Sequence, residues 1–297
     1  MAQTFQTAVR ASARGLLLAV LSASPMHASA ADASGFSTAG TFQPYPVAGV
    51  PLLESFYMRY TNGDNHIEAI AVEPASPIRD PSPESSAVPP GQIFITLQDR
   101  GRDDQIFYKV EHADVPANGV QRRKTFDFCR KTCSWQLDRP SPDHVFVIVG
   151  FSFFFPADDH HLRRIGLWEQ DGVLHAHFKD EDDSDSDDVY KFELEYAYLP
   201  PSMVARLGHS SGNDVIGGGE RKPIDACGPA SRIVIRGFDF EFRPVSCYLF
   251  STCQDQHIRE IGVLTPGNYL EVYFGDKSPY SDGDKFNWGV DWAVLSP

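Results

Sequence analysis

The sequence predicts an all-β protein made of three tandem antiparallel β-sandwich-like repeats of about 90 residues each. Three observations support this prediction. One motif recurs at an almost constant interval, large apolar residues fall at every second position in the segments around it, and turn-rich stretches separate those segments. No window of a dozen residues keeps a convincing helical period, so strands are the expected elements.

The recurring motif is Asp-x-His, followed by Ile or Leu, two variable residues, Ile, Gly or Ala, and Val or Leu. It reads DNHIEAIAV at 64–72, DHHLRRIGL at 159–167 and DQHIREIGV at 255–263. The intervals, counted from Asp64 to Asp159 and from Asp159 to Asp255, are 95 and 96 residues. A near-constant period of this kind is typical of tandem repeats.

Each repeat is expected to contain about four core strands, with one or two more from the preceding linker. The first strand lies before the motif, at 56–60, 151–155 and 238–242, and the motif itself runs into the second. The third ends in LQD, FKD or FGD, and the fourth closes the repeat at 104–113, 188–197 and 284–293. In the 238–242 copy the residues between the apolar ones are acids, as expected for one buried and one wet face.

The predicted boundaries are a signal peptide at 1–30 and repeats at 31–118, 119–205 and 206–297. The stretch 200–230, rich in Pro and Gly, is expected to be a linker with little order of its own. A single closed body with pseudo-threefold symmetry would have the same sequence signature. Separate sandwiches are favoured over it because each unit reaches the usual size of a domain.

Features of the first thirty residues predict export. Arg10 and Arg14 precede the apolar run Gly15–Ala23, and Ala28-Ser29-Ala30 fits a cleavage site, so the mature chain would begin near Ala31. No stretch reaches the roughly 20 apolar residues of a membrane-spanning helix. The protein is therefore expected in the periplasm or outside the cell.

The net charge limits the possible partners, and the cysteines limit the possible disulfides. A formal net charge of -14 argues against nucleic acid and anionic membranes as partners and is compatible with neutral ligands such as sugars. Export permits disulfides. Cys129 with Cys133 and Cys247 with Cys253 are close enough to form two of them, which leaves Cys227 over, although spacing alone does not settle the pairing.

The repeated histidines, His66, His161 and His257, admit two interpretations. They could be ligands for a metal or a polar molecule. Alternatively, they could belong to the turn between the first two strands, where the aspartate caps backbone N–H groups and the imidazole bonds a carbonyl. The structural role is favoured, because a turn that defines the fold must occur in every repeat and a catalytic group need not.

Repeated aspartates raise the hypothesis of a calcium site. Each repeat has one aspartate after its third strand and one before its fourth, and the middle loop DEDDSDSDD packs seven carboxylates into nine residues. Dense oxygen ligands are what Ca²⁺ selects, whereas a solvated acidic loop is the commoner explanation of such a run. The candidate ligands are Asp99, Asp104, Asp180, Asp183, Asp185, Asp187, Asp188, Asp276 and Asp284.

Two further patterns bear on function. His112, Tyr196 and Trp292 share one position near the end of the closing strand, so they either fill the core, which the alternation favours, or offer rings for sugar stacking. The stretch Gly208–Gly212 satisfies the G-x-S-x-G pattern of hydrolases, but it lacks the strand before and the helix after that a nucleophile elbow requires.

The leading functional prediction is an exported, non-catalytic, multivalent binding protein for carbohydrate, with Ca²⁺ in its acidic loops as a secondary prediction. The alternative is a structural or adhesion protein of the bacterial envelope, and an enzyme comes third. The closing segment FNWGVDWAVL and the repeat length resemble H-type lectin domains. This resemblance implies a six-stranded sandwich, trimeric assembly and sugar binding, although no sugar-contact motif of that family is present.

Overall fold

The structure is a computed structural model that describes residues 29–38, 40–61, 67–76, 88–99, 105–155, 162–180, 189–216, 218–224, 231–243, 258–276 and 285–297. Within these residues the chain forms eighteen strands and one short 3₁₀ helix, Pro201–Met203. The strands are β1 (Ser29–Thr38), β2 (Thr41–Pro44), β3 (Val50–Tyr60), β4 (Ile67–Pro74), β5 (Gln92–Asp99), β6 (Gln105–Val115), β7 (Gln121–Cys129), β8 (Thr132–Gln136), β9 (Val145–Phe154), β10 (Leu162–Gln170), β11 (Val173–Asp180), β12 (Tyr190–Leu199), β13 (Val204–Ile216), β14 (Gly219–Pro223), β15 (Ile233–Phe242), β16 (Ile258–Leu264), β17 (Tyr269–Asp276) and β18 (Lys285–Leu295).

These strands form three six-stranded antiparallel sheets, which confirms the predicted all-β class. Sheet I has the order β1-β6-β3-β16-β17-β14, sheet II the order β2-β5-β4-β9-β12-β7, and sheet III the order β13-β18-β15-β10-β11-β8. Every sheet therefore takes three strands from one third of the chain and three from another. Counted within each third, the order is first, sixth and third from one third of the chain, followed by fourth, fifth and second from another, with sheet II read from β7.

The junction of each sheet pairs the two sequence patterns that recur along the chain. The strand that carries the motif isoleucine lies beside the alternating apolar strand of a different third, so that Ile261 faces Met58, Ile70 faces Phe153 and Ile165 faces Phe240. In separate sandwiches these strands would pair within one repeat. The observed pairing is that of a single body with pseudo-threefold organisation.

One large hydrophobic core lies between the three sheets. Strands β3, β9 and β15 contact one another pairwise, and each contributes a buried phenylalanine to a central triad. The ring centroids of Phe56, Phe151 and Phe238 are 5.1, 5.2 and 5.3 Å apart. Each ring buries apolar area that is typically worth about 1.5–3 kcal/mol.

A β-bulge interrupts each of these central strands at the same place. The register shifts by one residue at Glu54, at Val149 and at Arg236, where β3, β9 and β15 pair with β6, β12 and β18. A bulge bends its strand and increases its twist. Beyond the bulges, the starts of the central strands and the ends of their partners enclose a second, smaller apolar cluster.

Some predictions need correction. Within the stretch 200–230, expected to have little order, residues 201–216 and 219–223 form the 3₁₀ helix, β13 and β14. The predicted boundary between residues 205 and 206 therefore falls inside β13. The strand count agrees with the prediction: within the described residues each third of the chain supplies four core strands and two more from the linker before them.

Cys129 and Cys133 form a disulfide across the turn from β7 to β8, which was one of the two predicted pairs. Cys227, Cys247 and Cys253 lie outside the described residues, so the second pair stays a prediction. Residues 1–28 lie outside them as well, and export is likewise untested. Across the part of the chain that is described, no helix is long and apolar enough to cross a membrane.

Candidate functional site

Most of the predicted ligand residues belong to segments that the structure does not describe. Asp99, Asp180 and Asp276 end strands β5, β11 and β17, and their side chains are not described. Within the described ranges, no group of three or more His, Cys, Asp or Glu side chains could hold a metal ion. The calcium and histidine sites stay predictions for the residues outside those ranges, namely His66, His161, His257, Asp104, Asp183, Asp185, Asp187, Asp188 and Asp284.

The three rings considered for sugar stacking, His112, Tyr196 and Trp292, are at most 4% exposed and form part of the core. His112 is fully buried, and burial lowers its pKa to about 4. The neutral ring can donate from Nε2 to the Val149 carbonyl, 2.9 Å away. Its Nδ1 lies 2.6 Å from the Tyr45 hydroxyl, whose one proton is shared between this nitrogen and the Ala31 carbonyl at 2.8 Å. Both ring nitrogens of His112 therefore have partners within the protein.

The G-x-S-x-G stretch lies within the edge strand β13 rather than in the loop that the sequence suggested. The Ser210 hydroxyl accepts a hydrogen bond of 3.1 Å from the Trp292 indole N–H. His209 is exposed, and its Nδ1 lies 2.8 Å from an Asp291 carboxylate oxygen. Because a nucleophile elbow needs a strand-to-helix turn, this serine is not placed as a nucleophile.

The outer faces of the three sheets differ at equivalent positions. In every sheet three register-matched residues lie side by side on the central strands, facing away from the core. They are Tyr57, Gly262 and Tyr273 in sheet I, Ser152, Ala71 and Thr96 in sheet II, and Asp239, Gly166 and His177 in sheet III.

Sheet I carries a connected row of aromatic rings, here called the aromatic track. Its members are Phe36, Phe107, Tyr57 and Tyr273, which come from strands β1, β6, β3 and β17, and Tyr269 lies four residues before Tyr273 on β17. Successive ring centroids from Phe36 through Tyr273 are 5.2, 6.0 and 4.9 Å apart. Phe36 is 65% exposed and Tyr269 39% exposed, whereas Tyr57 is only 8% exposed and supports its neighbours.

Gly262 allows the two tyrosine rings in the middle of the aromatic track to contact each other. It lies on β16 between Tyr57 and Tyr273, and the two rings meet across this position. A Cβ at Gly262 would come within 2.5 Å of the Phe56 carbonyl oxygen and 2.7 Å of the Tyr57 Cα. The absence of a side chain is therefore required by the close approach of strands β3 and β16.

Polar groups flank the aromatic track. The Tyr57 hydroxyl donates to Glu260 at 2.7 Å, and the Tyr273 hydroxyl donates to Glu271 at 3.1 Å. Burial, together with these carboxylates, raises the pKa of both tyrosines, which keeps the hydroxyls protonated. Arg221 forms an ion pair of 3.3 Å with Glu271, and its guanidinium lies 3.9 Å from the centre of the Tyr269 ring. The face thus combines ring surfaces with carboxylate acceptors.

The equivalent face of sheet III is polar. Arg164 holds Asp239 through two hydrogen bonds of 2.9 and 2.7 Å, in the position where sheet I has the pair Glu260 and Tyr57. Trp168 stacks on His175 with 5.3 Å between the ring centres and meets His177 edge-on at 4.5 Å. On this face of sheet III the charged side chains pair with one another, and the aromatic rings contact one another.

The same face of sheet II is closed to solvent at its centre. Ser152 and Thr96 are at most 1% exposed, and the buried Glu195 pairs with Arg122 and accepts a hydrogen bond of 2.9 Å from the Ser76 hydroxyl.

Towards its two edges sheet II has separate aromatic pairs, Phe42 with Phe94 at 5.0 Å and Phe126 with Phe128 at 6.4 Å between ring centroids. The longer run of connected rings lies on sheet I, which makes that face the best candidate site among the described residues.

The sequence contained a signal for this site. Residue Tyr57 occupies the wet-face position of the predicted strand 56–60, where the other two copies have Ser152 and Asp239. An aromatic residue at a position expected to be polar indicates a role for the ring on the surface. Phe36 gives no such signal, because its partner Phe107 is 71 residues away in sequence.

Comparisons with known proteins add little. No protein-family model matches the chain, and no curated protein matches it. Among solved structures, the major capsid protein P2 from bacteriophage PM2 is similar at 10% identity, over 56% of this chain and 96% of that chain, with a TM-score of 0.15. At that score the similarity carries no argument about fold or function.

Proposed function

We propose that the protein is an exported, non-catalytic carbohydrate-binding protein and that the aromatic track on sheet I contacts the sugar. The observation that carries the proposal is the run of ring contacts from Phe36 to Tyr273, flanked by Glu260 and Glu271. Flat rings offer apolar area to the C–H faces of a pyranose, and carboxylates accept hydrogen bonds from its hydroxyls.

We propose one carbohydrate site, whereas the sequence repeats suggested three equivalent sites. A multivalent protein would repeat the site on every sheet, whereas the three outer faces carry different residues at matched positions. One carbohydrate face, on sheet I, is therefore proposed. The acidic segment 181–188, with Asp180 before it, is retained as a second proposal, a calcium site.

The experiment is a glycan-array assay on residues 31–297, run with excess calcium and with a chelator. Phe36→Ala is expected to weaken binding about tenfold, because a lost ring contact of roughly 1.4 kcal/mol lowers the affinity by that factor. Phe128→Ala is the matched control, since this ring is 54% exposed on strand β7 of sheet II. Equal binding by both variants would reject the site on sheet I.

Binding that disappears in chelator would make Asp180 and Asp188 the next residues to substitute. Binding that survives chelator would leave the carbohydrate proposal standing and remove calcium from it. Failure to bind any glycan in either condition would reject the carbohydrate proposal in favour of an adhesion or structural role.

A further inference from the structure

We infer, on the basis of the proposed function, that the ligand is an extended, uncharged polysaccharide chain that crosses the strands of sheet I obliquely and engages at least four consecutive sugar units. The inference rests on the length, the direction and the charge of the aromatic track.

The length follows from the strands that the aromatic track crosses. Its ends lie on β1 and β17, which are separated by β6, β3 and β16 in the sheet. Four strand spacings give a span of about 19 Å. Successive ring centroids from Phe36 to Tyr273 are 4.9–6.0 Å apart, so a single sugar covers about one ring and an extended chain is needed to reach from Phe36 to Tyr273.

The direction follows from the register. Phe36 lies opposite Phe107, and Gly262 lies between Tyr57 and Tyr273 in another row. Along strands β3 and β6 the two rows are two residues apart, because Phe107 lies opposite Arg59 while Tyr57 lies opposite Lys109. A chain that follows the rings must therefore run across the strands at a slant rather than along one strand.

The charges on this face argue against an acidic polymer. Two of its cations are already paired with acids of the same face, Arg221 with Glu271 at 3.3 Å and Lys109 with Glu111 at 3.2 Å. The exposed Arg59 lies opposite Glu260. A uronate or sulfate on the ligand would meet these carboxylates well within the Debye length of about 8 Å, on a protein whose net charge is -14.

Isothermal titration of residues 31–297 with cello- and chito-oligosaccharides of two to six units, and with oligogalacturonides of the same lengths, tests the inference. For at least one neutral series the association constant is expected to rise at least tenfold between two and five units, and the galacturonides are expected to bind at least tenfold more weakly at equal length. Phe36→Ala should flatten the rise at the long end, while Phe128→Ala should leave it unchanged.

The outcomes separate the two proposals. A neutral series that binds equally at all lengths, yet is weakened by Phe36→Ala, would overturn the extended chain and keep the carbohydrate site. Galacturonides that bind as well as the neutral sugars would overturn the charge argument. No binding of any series, together with an empty glycan array, would overturn both proposals.

Discussion

His112 illustrates how its surroundings decide what one residue does. In the sequence it is a ring that shares its position with Tyr196 and Trp292, and the alternation favoured the core over a stacking surface. In the fold it is fully buried on the core side of β6, within hydrogen-bond distance of Tyr45 from its own third of the chain and of Val149 from the next. Burial removes the imidazole from solvent and lowers its pKa to about 4, so it is neutral near pH 7.

The stability of the protein should therefore depend on pH through this residue. The folded pKa of about 4 lies below the ordinary value of 6.5, so protonation favours the unfolded state. The contribution is fully present above pH 6.5 and is lost as the pH falls from 6.5 to 4, by about 3 kcal/mol in total. Urea unfolding at pH 7.5, 5.5 and 4.5 measures this loss.

His112→Tyr, which places the residue of the second repeat at this position, is the comparison. Whatever its stability at pH 7.5, its free energy of unfolding should fall less than that of the natural protein over the same range. An equal fall in both proteins would mean that His112 does not titrate as described.

At the scale of the elements, the strands of each third depend on strands from elsewhere in the chain. Strand β3 is covered on one side by β16, and β4 by β9, although these partners belong to the third and second thirds of the sequence. Without them the first third would expose two long hydrogen-bonding edges that carry buried residues such as Met58 and Ile70.

A fragment of residues 29–115 is accordingly expected not to fold by itself. Its circular dichroism should lack the sheet signal of the full chain, and its proton–nitrogen correlation spectrum should show narrow dispersion. The full chain from residue 31, recorded under identical conditions, is the control. A well-dispersed fragment spectrum would restore the hypothesis of separate sandwiches.

The whole molecule is held together by the central triad. Phe56, Phe151 and Phe238 come one from each sheet and meet in the shared core, so a defect at any of them touches all three sheets. A single core shared by all three sheets favours cooperative unfolding, whereas tandem domains can unfold one by one.

Phe238→Ala should lower the free energy of unfolding by about 3–5 kcal/mol, the usual effect of removing a buried ring. The thermal transition is expected to move to lower temperature as one unit in calorimetry. Phe128→Ala, which removes a ring that is 54% exposed, should change stability by no more than about 0.5 kcal/mol. A variant in which one part of the chain melts separately would contradict the shared core.

Alternation of apolar residues was sufficient to predict the class of the fold, because it reports which face of a strand is buried. It carries no information about the neighbouring strand. Met58 and Ile261 are 203 residues apart in sequence, and nothing in either local pattern indicates that they lie side by side. The candidate site also depends on this long-range pairing, since Tyr57 and Tyr273 meet only because β3, β16 and β17 are adjacent.

By itself the sequence determined the antiparallel all-β class, the positions of the central strands and the short spacing that allows the Cys129–Cys133 disulfide. The tertiary structure alone decided that each sheet joins strands from two different thirds of the chain, that His112 contacts Tyr45 and Val149, and that sheet I presents the aromatic track. The physical reason is that periodicity and spacing are local properties of a chain. Pairing, burial and exposure depend on the long-range register, which exists only once the strands have assembled.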